Sequence, residues 1–258
     1  MDHSAYTAVL LAAGRGTRLG RLTADTPKPL LEVAGVPLIE HIVSAFVEAG
    51  VWRFFVVTGY LGEQVAQWCA TFAQDNPGIE IDPVAQGELN GTAGAMLAAR
   101  EKIADQPSFI FGWGDVLMDR ANYRRFVARA AENDFDLLLA ANRMKDPWRG
   151  AAVYLSADMH VERLVEKPAQ GESETEWNNA GLFAAKPMLF DYLTQLAPSP
   201  RGELELPQAI AAMINDGREV RAIDMRGFWS DVGTPADLEV ARKRFHPKRA
   251  VTRKPKLI

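Results

Sequence analysis

From Thr7 to Ala141, short runs of core-type residues alternate with amphipathic segments, and this alternation limits the chain to a small set of folds. Residues 7–13 form an apolar run that ends at Gly14, which predicts a buried strand. In residues 37–49, Leu38, Ile39, Ile42, Val43, Phe46 and Val47 fall on one helical face, and Gly50 follows as a cap. Residues 54–58, 79–84, 108–111 and 135–141 read as further strands, with helices over 62–72, 91–103 and 120–133 between them. Strand and helix in alternation predict a doubly wound, mainly parallel sheet with helices on both faces, a three-layer α/β/α arrangement.

The pattern changes after Asn142. Short strands are expected over 151–155, 161–165 and 180–184. Helices over 188–196 and 206–215, a strand over 220–225 and a helix over 235–245 follow. No repeat or low-complexity linker divides the chain, so residues 1–246 are expected to form one domain with two halves, about 1–142 and 143–246. Residues 247–258 read as a solvated basic tail carrying Lys248, Arg249, Arg253, Lys254 and Lys256.

Of the 258 residues, 48% are hydrophobic, which suits a sizeable core. A net charge of −4 gives no electrostatic case for a nucleic-acid partner. Cys69 is the only cysteine, so an internal disulfide is impossible, which fits a reducing cytoplasm. It sits beside Trp68 in a helical pattern and reads as a structural thiol. No apolar run is long enough to span a membrane, and Met1-Asp2-His3-Ser4 lacks the features of a signal peptide.

The first strand runs into Leu11-Ala12-Ala13-Gly14-Arg15-Gly16-Thr17-Arg18-Leu19-Gly20. Glycines after the first strand of such a sheet let backbone N–H groups cradle an anion, and Arg15 and Arg18 add forked cationic donors. The dinucleotide pattern G-x-G-x-x-G fails by one position at Leu19, and no glycine pair has P-loop spacing. A plain tight turn remains the competing reading. Thr26-Pro27-Lys28-Pro29-Leu30 follows, and the two prolines are expected to hold Lys28 in an extended segment of few conformations. A lysine preorganised for a polyphosphate gains from such a bracket.

Together these two runs resemble the signature of the sugar-1-phosphate nucleotidylyltransferases. The resemblance covers about residues 8–238. It implies a Rossmann-like nucleotidyltransferase fold, with a nucleotide-binding half to about 142 and a sugar-phosphate-binding half over 143–246. It implies nucleotide contacts from Leu11, Ala13, Gly14, Gly16 and Thr17, with Arg18 and Lys28 on the reacting phosphates. Asp115 follows a predicted strand in Phe111-Gly112-Trp113-Gly114-Asp115, and Asp231 lies in Trp229-Ser230-Asp231-Val232-Gly233. Either acid could simply cap a turn. The resemblance makes them paired ligands of Mg²⁺, which takes hard oxygen donors.

In Val165-Glu166-Lys167-Pro168 the resemblance puts Glu166 on sugar hydroxyls and Lys167 on the sugar phosphate. Gly150 and Asn179 are implied sugar contacts, although Asn178 competes with Asn179 for the inward position. Glu205, before Leu206-Pro207, is a weaker match. Gln86, Gly91 and Thr92 belong to the implied base-reading segment, Gln86 to Gly94. A glutamine there is similar to thymidylyl and uridylyl members, while Gly91-Thr92-Ala93-Gly94 is similar to guanylyl members acting on mannose-1-phosphate, so the cues divide. Trp113 departs from the usual smaller residue and is expected to narrow a pocket. The sequence ends soon after the last predicted helix, without the β-helix some relatives carry, so no second activity is expected.

The implied activity is transfer of a nucleoside monophosphate from a nucleoside triphosphate to a hexose-1-phosphate, with pyrophosphate released. The expected partners are those two small molecules, with no nucleic acid and no membrane, and self-association into a homo-oligomer is left open. Two alternatives stand beside it: a non-catalytic sugar-nucleotide-binding regulatory protein on the same fold, and a non-sugar nucleotidylyltransferase branch.

Overall fold

A computed structural model describes residues 6–88, 90–200 and 202–245. The predicted basic tail lies outside the described residues. The first half contains β1 (Thr7–Leu11), β2 (Glu32–Val33), β3 (Val36–Pro37), α1 (Leu38–Glu48), β4 (Arg53–Thr58), α2 (Gly62–Asp75), β5 (Glu80–Ala85), α3 (Thr92–Ala98), α4 (Arg100–Ile103), β6 (Phe109–Trp113), β7 (Val116–Met118), α5 (Arg120–Ala130) and β8 (Leu137–Arg143). The second half contains β9 (Ala151–Leu155), β10 (Val161–Glu166), β11 (Trp177–Ala185), α6 (Leu189–Leu193), α7 (Leu206–Asn215), β12 (Val220–Asp224), β13 (Trp229–Asp231) and α8 (Pro235–Arg244).

Nine strands form one mixed, mostly parallel sheet in the order β10-β9-β11-β6-β1-β4-β5, with β8 pairing β11 and β12 pairing β8. Alternation along the strands feeds two cores. Ala8, Leu10, Phe54, Val56 and Ile110 face one side with Phe46 of α1, Cys69 of α2 and Phe126 of α5. Val9, Leu11, Phe55, Val57, Phe109 and Phe111 face the other with Met96 of α3, Phe190 of α6 and Ile210 of α7. The doubly wound, three-layer arrangement expected from the alternation is therefore present. Pro83 sits in β5, which pairs only with β4 and is an edge strand, where a missing donor is tolerated.

The second half joins through β11, which runs antiparallel to β6 on one side and to β8 on the other. Its register shifts between Asn179 and Phe183, and Gly181 there takes a φ of 81°. This bulge re-aims the strand beside the ends of β6 and β13.

Several boundaries differ from the sequence expectation. The helix predicted over 91–103 breaks at Ala99, whose N–H turns back to Met96 O at 3.1 Å. The one predicted over 120–133 ends at Ala130, and Asn133 adopts a left-handed φ of 52°. The one predicted over 188–196 shortens to Leu189–Leu193. The strands β2, β3, β7 and β13 were not expected, because two or three residues show no periodicity. Ala34 and Gly35, with φ of 54° and 77°, turn the β2–β3 hairpin. Buried His41 of α1 pins it by donating from Nε2 to Val33 O at 2.8 Å. Burial holds the His41 pKa below the usual histidine value, against the opposing effect of that bond and with help from Arg120.

Candidate active site

The loop after β1 stays open because its anchors lie at its far end. Leu19 and Thr23 are buried, while Gly14, Arg15, Thr17 and Arg18 are exposed. Gly16 takes a φ of 64°, and two 3-10 turns follow between Thr17 and Thr23, separated by a kink at Gly20, whose φ is 59°. Thr23 Oγ1 donates to Gly16 O at 3.1 Å and closes the loop on itself. A Cβ on Gly16 would lie 3.2 Å from Lys28 Cβ, so the glycine lets the loop lie directly against the lysine.

Lys28 is not extended, contrary to the sequence expectation. It opens a 3-10 turn over Lys28–Leu30, with extended Pro27 before it. Leu30 N–H donates to Pro27 O at 2.8 Å, and Pro29, which has no N–H to give, sits early in that turn. The turn drives the side chain inward, to 7% exposure.

Two carboxylates meet the buried ammonium. Lys28 Nζ lies 2.5 Å from Asp115 Oδ2 and 3.4 Å from Asp231 Oδ1. The unpredicted β7–β13 pair explains how residues so distant in sequence converge. Asp115 directly precedes β7, Asp231 ends β13 opposite Val116, and Val232 N–H donates to Asp115 O at 3.1 Å. The indole of Trp229 ties β13 to the bulge of β11 by donating to Ala180 O at 2.9 Å. After β13, a Cβ on Gly233 would lie 2.9 Å from Arg18 Nη2, so glycine leaves room for that guanidinium. Thr234 and Asp237 then close a capping box that starts α8.

Charge in this cluster is balanced closely. Burial penalises the charged form of Lys28, but the adjacent Asp115 and Asp231 carboxylates outweigh it and hold the pKa above the ordinary lysine value. Burial and repulsion from Asp115 raise the Asp231 pKa, opposed by Lys28 and Arg18. Arg18 reaches Asp231 at 3.6 Å and is 62% exposed, so this contact adds little stability and leaves the guanidinium available.

The sugar-side residues form a second group. Lys167 directly follows β10 in a left-handed conformation, φ 46°, unusual for a side chain of that size, and its N–H donates to Gly150 O at 2.8 Å. Its Nζ lies 3.8 Å from Glu166 Oε1. Asn178 is fully buried and donates from Nδ2 to Asn142 Oδ1 at 2.9 Å and to Asn179 O at 2.8 Å. Its Oδ1 fills the space where a Gly150 Cβ would lie, at 2.3 Å, and makes no hydrogen bond. Asn179 accepts from Gly181 N–H at 3.0 Å, which leaves its Nδ2 without a partner among the described residues. So Asn178 supports the backbone from within, and Asn179 keeps the free amide nitrogen. Trp113 packs on Gly181, where a Cβ would lie 2.4 Å from its Cε3, and on Phe183. The indole therefore packs on the bulge of β11, two residues before Asp115 in the chain.

The third group follows β5. Gln86 N–H donates to Thr58 O at 2.9 Å, and its side chain turns toward Asn90 and Gly91. Thr92 Oγ1 is engaged, accepting from Leu206 N–H at 2.9 Å. Glu205, buried, accepts from Ser199 at 2.8 Å. A Cβ on Gly91, φ 103°, would lie 2.5 Å from the backbone oxygen of Leu204. Gly91→Ala is expected to destabilise the fold by about 2 kcal/mol or more, since backbone cannot step aside. Urea unfolding checks this, and a loss below about 0.5 kcal/mol would show that the 203–206 segment yields.

Asn142, Asn90, Trp229 and Gly233 were not singled out by sequence as site residues. Trp229 and Gly233 lie inside the motif that carries Asp231, which is the signal that could have found them. Asn90 lies inside the implied base-reading segment and bonds to Gln86 four residues before it, whereas Asn142 has no local signal, because its partner Asn178 lies across the fold.

The family model for nucleotidyl transferases matches residues 7–246. The bifunctional protein GlmU of Methanococcus maripaludis is 32% identical over 238 residues, 92% of this chain and 54% of that protein. A UTP–glucose-1-phosphate uridylyltransferase, AglF, of Haloferax volcanii is 32% identical over 242 residues, 92% of this chain and 96% of that one. The chain thus spans about half the length of its GlmU relatives. In fold it is similar to a UDP-glucose pyrophosphorylase solved with UDP-glucose, with a TM-score of 0.81 at 19% identity over 92% of this chain and 97% of that one. A loop, a buried lysine and two acids gathered past the ends of β1 and β6 thus agree with the match along nearly the whole length, and the chain belongs to the nucleotidyl transferase family.

Proposed function

We propose that this protein transfers a nucleoside monophosphate from a nucleoside triphosphate to a sugar-1-phosphate and releases pyrophosphate. The observation that carries the reading is Lys28, buried against the glycine loop with Asp115 and Asp231 on its ammonium. AglF, similar over almost all of both chains, bears the name of such an activity.

A phosphate oxygen of the sugar-1-phosphate attacks the α-phosphorus in line. One O–P bond forms, the bond to the bridging oxygen breaks, and pyrophosphate leaves. The attacking oxygen is already ionised at neutral pH, so no general base is required. Arg18 and Lys28 stabilise charge on the α-phosphate and the leaving group. Leu11, Ala13, Gly14, Gly16 and Thr17 line the nucleotide phosphates, and Gln86, Gly91 and Thr92 lie toward the base. Lys167 aims the attacking phosphate, while Glu166, Gly150 and Asn179 hold the sugar.

Asp115 and Asp231 suit Mg²⁺. Among the described residues no cluster of three or more potential ligands occurs, and Mg²⁺ commonly takes one or two carboxylates with phosphate and water completing its shell. Bound there, the ion neutralises charge on the nucleotide phosphates.

The half to about 142 is read as the nucleotide half and 143–246 as the sugar half. A reducing cytoplasm suits Cys69, whose buried thiol has its pKa pushed up to about 12 by burial and then by Asp82, so it is inert. Among the described residues no helix is long and apolar enough to cross a membrane.

The test is pyrophosphate release with Mg²⁺ across the common nucleoside triphosphates, each against a panel of hexose-1-phosphates. At least one pair should turn over. Binding without release in every pair would replace this reading with a sugar-nucleotide-binding regulatory protein.

A further inference from the structure

Asn178 is 0% exposed, so it cannot meet a ligand, yet its one amide touches both arms of the sugar-side group. It stands where β11 pairs with two neighbours at once, opposite Asn142 of β8 and Ala152 of β9. Its Nδ2 donates to Asn142 Oδ1 at 2.9 Å and to Asn179 O at 2.8 Å, which uses both amide hydrogens. The backbone carbonyl of Asn179 can only accept, so the orientation of the Asn178 amide is fixed and Asn142 must present its oxygen.

One arm is Asn179. Asn178 holds its carbonyl, and Gly181 N–H holds its Oδ1 at 3.0 Å, so backbone and side chain are both set from within β11. The other arm is Gly150 with Glu166 and Lys167. Asn178 Oδ1 packs on Gly150, 2.3 Å from where a Cβ would lie. Gly150 N–H donates to Pro147 O at 3.0 Å, and Gly150 O accepts from Lys167 N–H at 2.8 Å. That second bond reaches the lysine whose φ is 46°, while Glu166 pairs with Ala151, the residue after Gly150. A displaced Asn178 therefore frees Gly150 to move, and the Lys167 backbone moves with it.

Asn178 Oδ1 has no hydrogen-bond donor among the described residues. A buried acceptor without a donor costs stability, so an apolar side chain would serve the core better. The contribution of this amide lies in the backbone that it holds.

We propose that Asn178, anchored by Asn142, is a positioning residue that sets the spacing between Asn179 and the Gly150–Lys167 pair, and through it the fit of the sugar-1-phosphate. This rests on the sugar-binding reading above. Asn178 acts through Gly150 and Asn179, and Asn142 acts through Asn178.

The test is steady-state kinetics of the full chain with Mg²⁺, using the fastest pair of UTP, dTTP, GTP, ATP or CTP with glucose-1-phosphate, galactose-1-phosphate or mannose-1-phosphate. Asn178→Ala should raise the KM for the sugar phosphate about tenfold or more and leave the KM for the triphosphate within about twofold, because small misplacements of binding groups have effects of this size. Asn142→Ala keeps the bond to Asn179 O and should raise the sugar-phosphate KM by less, about threefold or more. The double variant should match Asn178→Ala alone, since the two residues act in series. A merely structural lesion lowers the active fraction, and so kcat, with both KM values unchanged, or it raises both KM values together. Either result overturns the inference. If Asn178→Ala does not fold, Asn142→Ala decides: a sugar-phosphate KM within about twofold of the parent overturns the inference. If the parent turns over no pair, the proposed function itself falls.

Discussion

Lys28→Ala is expected to lower turnover by about 10²–10³ while the protein stays folded, because a preorganised charge at the reacting phosphates is lost. The geometry makes this lysine different from an exposed one. Its side chain is 8% exposed, sets its ammonium on two carboxylates and lays its aliphatic stem against Gly16 of the glycine loop. A charge fixed in this way stabilises a transition state without paying for reorganisation during the reaction. Arg18→Ala should cost less, since Arg18 is mostly in water. Pyrophosphate release at saturating substrate, with circular dichroism as the folding control, measures both. Near-normal turnover in folded Lys28→Ala protein would remove the lysine from the chemistry.

The second large effect separates stability from catalysis. Asp115→Ala leaves the Lys28 ammonium buried with Asp231 alone, 3.4 Å away. Breaking a fully buried pair from one side costs about 3–5 kcal/mol, and the surviving partner and partial solvent access reduce this to about 2–3 kcal/mol. Lys28→Met alone should also destabilise, since Asp115 and Asp231 then face each other without a cation. The double variant Lys28→Met, Asp115→Leu should recover stability to within about 1 kcal/mol of the parent, because an apolar pair can replace a buried ion pair. It should show no turnover. Denaturant midpoints of the two single variants and the double variant form a thermodynamic cycle. Additive losses would mean that the 2.5 Å contact carries no coupling.

Much of this was legible beforehand. The parallel core strands were found because β1, β4, β6 and β8 are buried on both faces and read as apolar runs. The family resemblance was found because its motifs lie within single short segments, and the family match bears it out. What failed was local geometry governed by distant partners. Lys28 was expected to be extended, since a following proline disfavours helical backbone, yet the 3-10 turn forms with the side chain fixed by Asp115 and Asp231. The strands β7 and β13 are three residues each and show no period, although their pairing brings the two acids together. The start of β11, Trp177-Asn178-Asn179, is too polar to read as a strand, and one atom of each amide is bonded only once the chain has folded, Asn178 Nδ2 to Asn142 of β8 and Asn179 Oδ1 to Gly181 N–H at the bulge.

The placement of β11 also has a mechanical consequence. A protein that closes on its substrates like a book needs a crease between its covers. Here the strand joining the halves is laced to β6 on one edge and β8 on the other, so folding the sheet there would tear both ladders at once. The halves are two ends of one stiff plank, and the reach from the glycine loop to Asn179 is set when the chain folds. Adjustment to different sugars or bases then falls to the short connections at residues 146–149 and 86–88, since Gly150 and Gly91 are each packed too closely to accept a side chain.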